Sequence, residues 1–427
     1  MKKVLVIGGG LAGLSTAVYL SKNNFNVTLL EASPKLGGRT YSFFDKELGL
    51  EIDNGQHIMM SCYRATLDFL DLIGSKEKLY IEDKLDLLFI NPANNNVKIK
   101  SFGIFYPFDL LVGLLFAKGI TLLEKYKLKI FFVKLIFQKE SNLHSLTVFE
   151  WLKINRQPEN LINNFWSVLV IGTMNTTIEK ASARTFFSVL KNIFLKGGNG
   201  YKMVIPNTGL SKIFCEPAEN FISEHNCKIL KSEKVEKIIT EQNKVVQVHT
   251  NKNHYTDFDY LISAIPYNSL NNLLEITKID FQFSPIITVH VKMDTSEFDR
   301  KHYAFLNSPV HWVFVHHNHI SCVTSSAEKL VDLSEVELKN TFLSELRKIF
   351  PGKNFYLNSM KVIKEKRATF IPSVQNEKQR IKMKSTIQNL FIAGDWVTPN
   401  LPSTIEGAIL SGINAAFNIV KLKNKTT

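Results

Sequence analysis

Arginine is scarce in this chain of 427 residues: only eight of its 52 basic side chains are Arg, yet the formal net charge is +13. Nucleic-acid recognition draws on Arg forks gathered in a patch. Here the basic residues are mostly Lys spread along the chain, so nucleic acid is not an expected partner, and attraction to an anionic membrane surface fits better. Cysteine is scarce too. Cys62, Cys215, Cys227 and Cys322 stand far apart with no Cys-x-x-Cys pair. That argues against a disulfide framework or a zinc site and suits a reducing cytoplasm. His316-His317-Asn318-His319 gathers imidazoles, but no carboxylate or thiol set accompanies them. The segment reads as a solvated hairpin turn, and no metal is expected. Repeats and low-complexity tracts are missing. No apolar run reaches the ~20 residues that a spanning helix needs. Met1-Lys2-Lys3 followed by apolar residues superficially resembles a signal peptide, but the stretch is short and runs into glycines. It reads as a first strand.

What is present starts with Val4-Leu5-Val6-Ile7, then Gly8-Gly9-Gly10-Leu11-Ala12-Gly13, then an apolar helix pattern from Leu14 to Leu20. Strand, Gly-x-Gly-x-x-Gly and helix in that order form a dinucleotide-binding turn. Gly8 makes the tight turn, Gly10 lets backbone approach a pyrophosphate, and Gly13 lets the helix lie close on the strand. The helix N-terminus at Leu11 and Ala12 offers free N–H groups and a partial positive charge. A second strand, Val27 to Leu30, ends in Glu31-Ala32. A carboxylate there accepts from both ribose hydroxyls and repels a 2′-phosphate, which disfavours NADP.

A second glycine turn, Leu36-Gly37-Gly38-Arg39-Thr40, follows directly. In this it resembles FAD proteins of the amine-oxidase and carotenoid-desaturase superfamily, where the Arg reaches the diphosphate as a charged donor.

The length suggests two or three domains, and 45% hydrophobic residues can fill a large core. The fold expected is α/β. A Rossmann-like FAD-binding domain takes residues 1–85, 205–275 and 376–427. A discontinuous α+β substrate domain built on an antiparallel sheet takes residues 86–204 and 276–375. Strand signals run over Ser232 to Thr240, Val245 to His249 and Tyr260 to Ile265, the last stopped by Pro266. Val235 is counted among the cofactor contacts. Ile286 to Met293, Trp312 to Val315 and Ile320 to Thr324 read as antiparallel strands. Residues 102–137 are the most apolar stretch, with Lys118, Lys125, Lys127, Lys129 and Lys134 between the apolar runs. Two readings stand: buried helices of the substrate domain, or an amphipathic basic segment that dips into a membrane and admits a lipid-soluble substrate.

Two further segments narrow the resemblance. One is Asp53-Asn54-Gly55-Gln56-His57. The other is Phe391-Ile392-Ala393-Gly394-Asp395-Trp396 with Leu401-Pro402-Ser403-Thr404-Ile405-Glu406-Gly407-Ala408. With Pro285-Ile286-Ile287-Thr288-Val289, Trp312-x-Phe314 and Glu365-Lys366-Arg367-Ala368-Thr369-Phe370, they make the chain similar to the bacterial hydroxysqualene dehydroxylase family. The resemblance implies FAD as cofactor. It implies that Gly394 and Asp395 meet the flavin's phosphate and ribityl chain, and that a helix opening at Thr404 and Ile405 aims N–H groups at the flavin. It further implies reductive removal of the hydroxyl of hydroxysqualene to give squalene, for hopanoid or triterpenoid synthesis, with an unidentified reductant reloading the flavin. The expected location is cytoplasmic, peripheral to the inner face of the cell membrane.

Loss of hydroxide needs a general acid. His57 is the first candidate, since imidazole titrates near neutral pH; the alternative is that Asp53, Gln56 and His57 only hold a loop. Asp53 is a second candidate, orienting His57 or bonding backbone. Glu406 is a third, unless it caps its helix. Arg367 is a candidate partner for a hydroxyl. The rival activities are a carotene-type desaturase running in the oxidative direction, and a non-catalytic carrier of prenyl lipid on the same fold.

Overall fold

The computed structural model describes residues 1–91, 96–101, 112–113, 116, 118–195, 200–274, 280–380, 385–397 and 400–426. Much of the apolar stretch 102–117 therefore lies outside the described residues.

β1 (Lys3–Ile7) runs into α1 (Leu11–Lys22), and the chain returns along β2 (Asn26–Glu31). Further on come α2 (Arg64–Leu72), α3 (Leu122–Phe137), β3 (Lys228–Lys231), β4 (Val235–Glu241) and β5 (Tyr260–Ser263). Then follow β6 (Phe283–Lys292), β7 (Trp312–Val315), β8 (His319–Ser325), β9 (Met360–Phe370), β10 (Leu390–Ile392) and α4 (Ile405–Thr426).

The first sheet is parallel throughout, in the order β3-β2-β1-β5-β10. Both its faces are covered, which is why β1 is an unbroken apolar run. Successive side chains point to opposite faces. Val4 and Val6 pack against α1 and α4, while Leu5 and Ile7 pack under β4 and the strand Lys244–Thr250. β3 is absent from the sequence reading, because Lys-Ile-Leu-Lys is too short to show a pattern. The strand expected from Ser232 starts instead at Val235. Ser232 has φ +56°, a left-handed turn that separates β3 from β4.

The second sheet has seven strands: β9, β6, β8, β7, then His302–Phe305, Asp86–Ile90 and Val97–Lys100. It draws on both inserted segments. Its pairs are antiparallel except one, where Ala304 and Phe305 run parallel to Phe89 and Ile90. Along β6 the alternation has two outcomes. Ile287, Val289 and Val291 are fully buried with Leu338, Phe342 and Leu346 of the helix Glu335–Ile349. Thr288 and His290 turn to the other face, beneath the Asp53–His57 loop. A separate small sheet joins Met59–Met60 and Leu79–Ile81 to Met203–Pro206, a strand that straddles residue 205.

α4 is the one described helix long and apolar enough to cross a membrane. Its Ile409, Ala416 and Ile419 are instead buried in the core it shares with α1.

Candidate active site and flavin cradle

Segments remote in sequence converge at the C-terminal ends of β1, β2 and β10. Gly37 N donates to Gly9 O at 2.9 Å, so the two glycine turns lie side by side. A Cβ on Gly13 would stand 1.8 Å from Gly8 O, so only glycine lets α1 sit this close to β1. A Cβ on Gly38 would meet Gly10 Cα at 3.3 Å, so bare backbone faces bare backbone here.

The N-terminus of α1 is the decisive feature of the cradle. Its N-cap, Gly10, offers no side-chain acceptor, and its first turn holds no acid. Leu11 and Ala12 are nevertheless buried. A buried helix start without a cap leaves donors that call for an anion, and a diphosphate supplies it. Glu31 ends β2 with Oε2 accepting from Gly9 N at 2.5 Å and Oε1 from Ser33 N at 2.7 Å. Each oxygen keeps a further lone pair for a ribose hydroxyl, and Ala32 beside it is exposed. Val235 has a buried side chain, packed with Leu5, Ile7 and Leu30.

The tail motif closes the other side. Gly394 N donates to Ser411 Oγ at 2.8 Å, and Thr404 Oγ1 accepts from Gly407 N at 3.1 Å at the start of α4, where Ile405 is buried. Asp395 is paired with Arg39, Oδ1 to Nη2 at 2.8 Å, and accepts from Ser403 Oγ. Burial alone would raise the Asp395 carboxyl; the Arg39 charge, Ser403 and Arg380 outweigh it and hold the group below its ordinary range. Arg39 also donates to Ala368 O at 2.6 Å. These residues suit FAD: glycines facing each other, an uncapped helix start, an acid for the ribose, and a cation for the diphosphate.

The catalytic candidates are less uniform. Burial and the nearby Arg39 charge push His57 down to about 4, against a hydrogen bond to the Arg39 backbone that pulls it up. His57 is therefore neutral at pH 7, which departs from the near-neutral titration that made it the first candidate. Asp53 does not orient His57. Its Oδ1 accepts from Ser42 Oγ at 2.7 Å and Leu210 N at 3.0 Å, and burial raises it to about 6. Glu406 caps not its own helix but α2, accepting from Ala65 N at 3.1 Å, Thr66 N at 2.9 Å and Thr66 Oγ1 at 2.7 Å. Burial raises its pKa against those bonds. Arg367 lies over the Phe283 ring at 5.7 Å.

Only the tip of the histidine turn, His317 and Asn318, is exposed to solvent; His316 and His319 turn inward. His316 stacks on His319 with ring centroids 4.3 Å apart, and His290 approaches His319 at 5.7 Å. His290 Nε2 bonds Asp53 O at 3.0 Å while its Nδ1 bonds Ser321 Oγ at 3.0 Å. His316 Nε2 bonds Gln56 Oε1 at 2.9 Å. Two imidazoles thus hold the Asp53–His57 loop from behind. Burial first, then the neighbouring rings, lowers His290 to about 3 and His316 well below its ordinary value. Close by, Gln56 Nε2 and Thr288 Oγ1 are buried with no hydrogen-bond partner among the described residues.

Arg380 is the other residue that sequence reasoning missed. Its fully buried guanidinium pairs with Glu377 at 2.6 Å and donates to Trp396 O, Asp395 O and Leu401 O. It braces the loop that carries Asp395. Its only sequence signal is an Arg at the end of the polar run Asn376-Glu377-Lys378-Gln379, which looks like surface.

Residues 11–420 match the model of the flavin containing amine oxidoreductase family. The chain belongs to this family. It is an FAD-dependent oxidoreductase, and its cofactor is FAD. Among curated relatives it is 26% identical to the hydroxysqualene dehydroxylase of Zymomonas mobilis, over 96% of this chain and 97% of that one. It is 22% identical to the 15-cis-phytoene desaturase of Synechococcus elongatus, over 98% and 96%. Among solved structures, cyclohexylamine oxidase from Brevibacterium oxydans shares the fold with a TM-score of 0.70 at 14% identity, covering 99% of each chain. The family's two-part architecture agrees with the α/β reading, a nucleotide sheet beside a substrate sheet.

Proposed function

We propose that this family member removes the hydroxyl group of hydroxysqualene by reduction, giving squalene and water, in hopanoid or related triterpenoid synthesis. In the balanced reaction the carbon–oxygen bond breaks, a proton joins the departing oxygen, and a hydride joins the carbon. Reduced FAD supplies that hydride when bound, and a separate cellular reductant restores it. The observation that carries the reading is end-to-end similarity to relatives named for this activity.

The chain's own residues support the reading in two further respects. A carbocation-like centre must be kept from water until hydride arrives. The core of Phe131, Trp151, Trp166 and Phe186, with Trp312 at its edge, makes the inserted segments strongly apolar. A ring nitrogen of His57 presents the proton to the substrate oxygen. With a pKa of about 4 the charged ring is a strong acid but a rare one at pH 7. Asp53, at about 6, is the runner-up donor. His290 and His316 fix the loop that carries both.

Anaerobic incubation of photoreduced protein with hydroxysqualene, followed by product analysis, tests the proposal; squalene is the expected product. The second reading is a desaturase of carotene type, supported by the phytoene desaturase relatives. Oxidised protein that introduces double bonds into phytoene, with no squalene from the reduced protein, would select it.

A further inference from the structure

We propose that the outer face of α3 docks the protein on an anionic lipid bilayer, with the helix lying in the membrane interface. The reading of a lipid substrate gives this surface its purpose, but the surface stands on separate observations. α3 is apolar on two opposite sides. Leu128, Phe131 and Leu135, with the N-terminal Glu124, face inward and are buried. On the far side Leu122 is 84% exposed, Tyr126 59%, Val133 45%, Ile136 60% and Phe137 79%. Those positions, together with Lys129, recur at three- and four-residue intervals, so they form one stripe along the helix. Leu123 widens it. An exposed apolar stripe of this size, opposite a face already buried, marks an interaction surface. Over 16 residues it is about 24 Å long, too short to span a bilayer but ample to lie on one.

Charge selects the occupant. Lys125 lies on one flank of the stripe, Lys127 and Lys134 on the other, and Lys129 within it. Lys129 and Lys134 are exposed and make no ion pair among the described residues. Long Lys stems let the ammonium groups reach up to phosphates while the stripe sinks into the acyl boundary. At the C-terminal end, beside Val133 and Phe137, an open hollow of about 470 Å³ is lined by Lys134, Lys139, Gln138, Asn142 and Asn155. Cations and amide donors next to an exposed Phe suit a phosphodiester headgroup above an acyl chain. A second copy of the chain fits less well, because a two-fold contact through this face would set the same lysines against each other. The inner face of α3 packs on the aromatic core that reaches Trp312, next to the strand leading to His316.

Flotation of the full flavoprotein with vesicles tests the surface. Vesicles of phosphatidylcholine containing phosphatidylglycerol should capture it, pure phosphatidylcholine much less, and added salt should release it. Lys134→Glu/Lys139→Glu should weaken capture by about tenfold or more. Leu122→Ser/Phe137→Ser should weaken it in both vesicle types. All variants should keep bound FAD, its absorbance spectrum, and turnover of detergent-dispersed substrate. Variant capture equal to that of the parent, or a dimer in sedimentation that Phe137→Ser dissolves, would overturn the proposal. Flotation reads the surface alone, so a failure of the hydroxysqualene assay would leave its result intact.

Discussion

The guanidinium of Arg39, in the second glycine turn, grips the carboxylate of Asp395 at the end of β10, Nη2 to Oδ1 at 2.8 Å. Two motifs from opposite parts of the chain thus share one charge pair. Asp395 is buried while Arg39 is 41% exposed on its side chain. The Asp depends on the Arg more than the reverse.

Arg39→Ala should therefore strand a buried carboxylate and also remove a diphosphate donor. The expected losses are about 1–3 kcal/mol of stability, discounted for the exposure of Arg39, and a marked drop in FAD affinity. Adding Asp395→Asn should restore most of the melting temperature, since no charge is left unpaired, but not the affinity. Thermal melting of the apoprotein and flavin fluorescence titration separate the two. A double variant no more stable than Arg39→Ala would mean that the pair contributes nothing to folding.

The pH dependence of turnover distinguishes the two proton donors. An acid works in its protonated form, so activity falls as pH rises through its pKa. If His57 donates, the fall centres near 4; if Asp53 donates, near 6. His57→Ala should retain FAD and lose about a hundred- to ten-thousand-fold in turnover if it is the donor. Loss of FAD in that variant would make His57 a loop-holding residue instead.

His290 and His316 hold the Asp53–His57 loop, on whose placement the proposed reaction depends. His290→Gln keeps an N–H for Asp53 O, and His290→Leu does not. The Leu variant should lower kcat and shift the pH profile of turnover, with little change in KM, and the Gln variant should recover most of both. Equal behaviour of the two variants would reduce His290 to packing.

Acid should destabilise the protein through its histidines. His57, His290, His316 and His319 all titrate below their ordinary 6.5 in the folded state, chiefly through burial. Unfolded, they bind protons that the native state refuses. Their contribution is full above about 6.5 and is lost as pH falls toward the folded values, about 1.4 kcal/mol per pH unit for each ring. Asp53, raised to about 6, and Glu406, raised by burial, work in the opposite direction, while His311, lowered to about 4 by burial, adds a fifth ring to the four. The melting temperature should fall between pH 7 and pH 5, and less steeply in His316→Gln. A flat or rising curve would show that the rings are charged or solvated in the native protein.

The cradle was legible because its chemistry is local. Gly8 to Gly13, Glu31 and Gly37 to Arg39 each announce a turn or a terminus within a few residues. The alternation of β6 likewise marked a strand, but not which lattice of partners it would join. What was not legible depends on distant partners. Glu406 reads as a first-turn acid of its own helix, and only the packing of α4 beside α2 turns it into the cap of Thr66. His316 reads as a turn residue until Gln56 and His319 close over it. Arg380 reads as surface because its three carbonyl partners come from a loop that follows it by many residues. Buried polar groups escape a reading of periodicity, since it registers where apolar side chains go and says nothing of who satisfies the rest.

The parallel sheet has a consequence for how the protein is made. β1 and β2 leave the ribosome well before their neighbours β3 and β5, which lie some two hundred residues later, and β10 and α4 come later still. A Cβ on Gly412 of α4 would stand 2.2 Å from Ala12 O of α1, so the last helix seats directly on the first. Until it is synthesised, α1 lacks its most extensive partner and its apolar side is only partly covered. Such long-range closure makes folding slow and exposes aggregation-prone surface during translation. The flavin cradle is then complete only late, because Asp395 and the start of α4 belong to its last-made part.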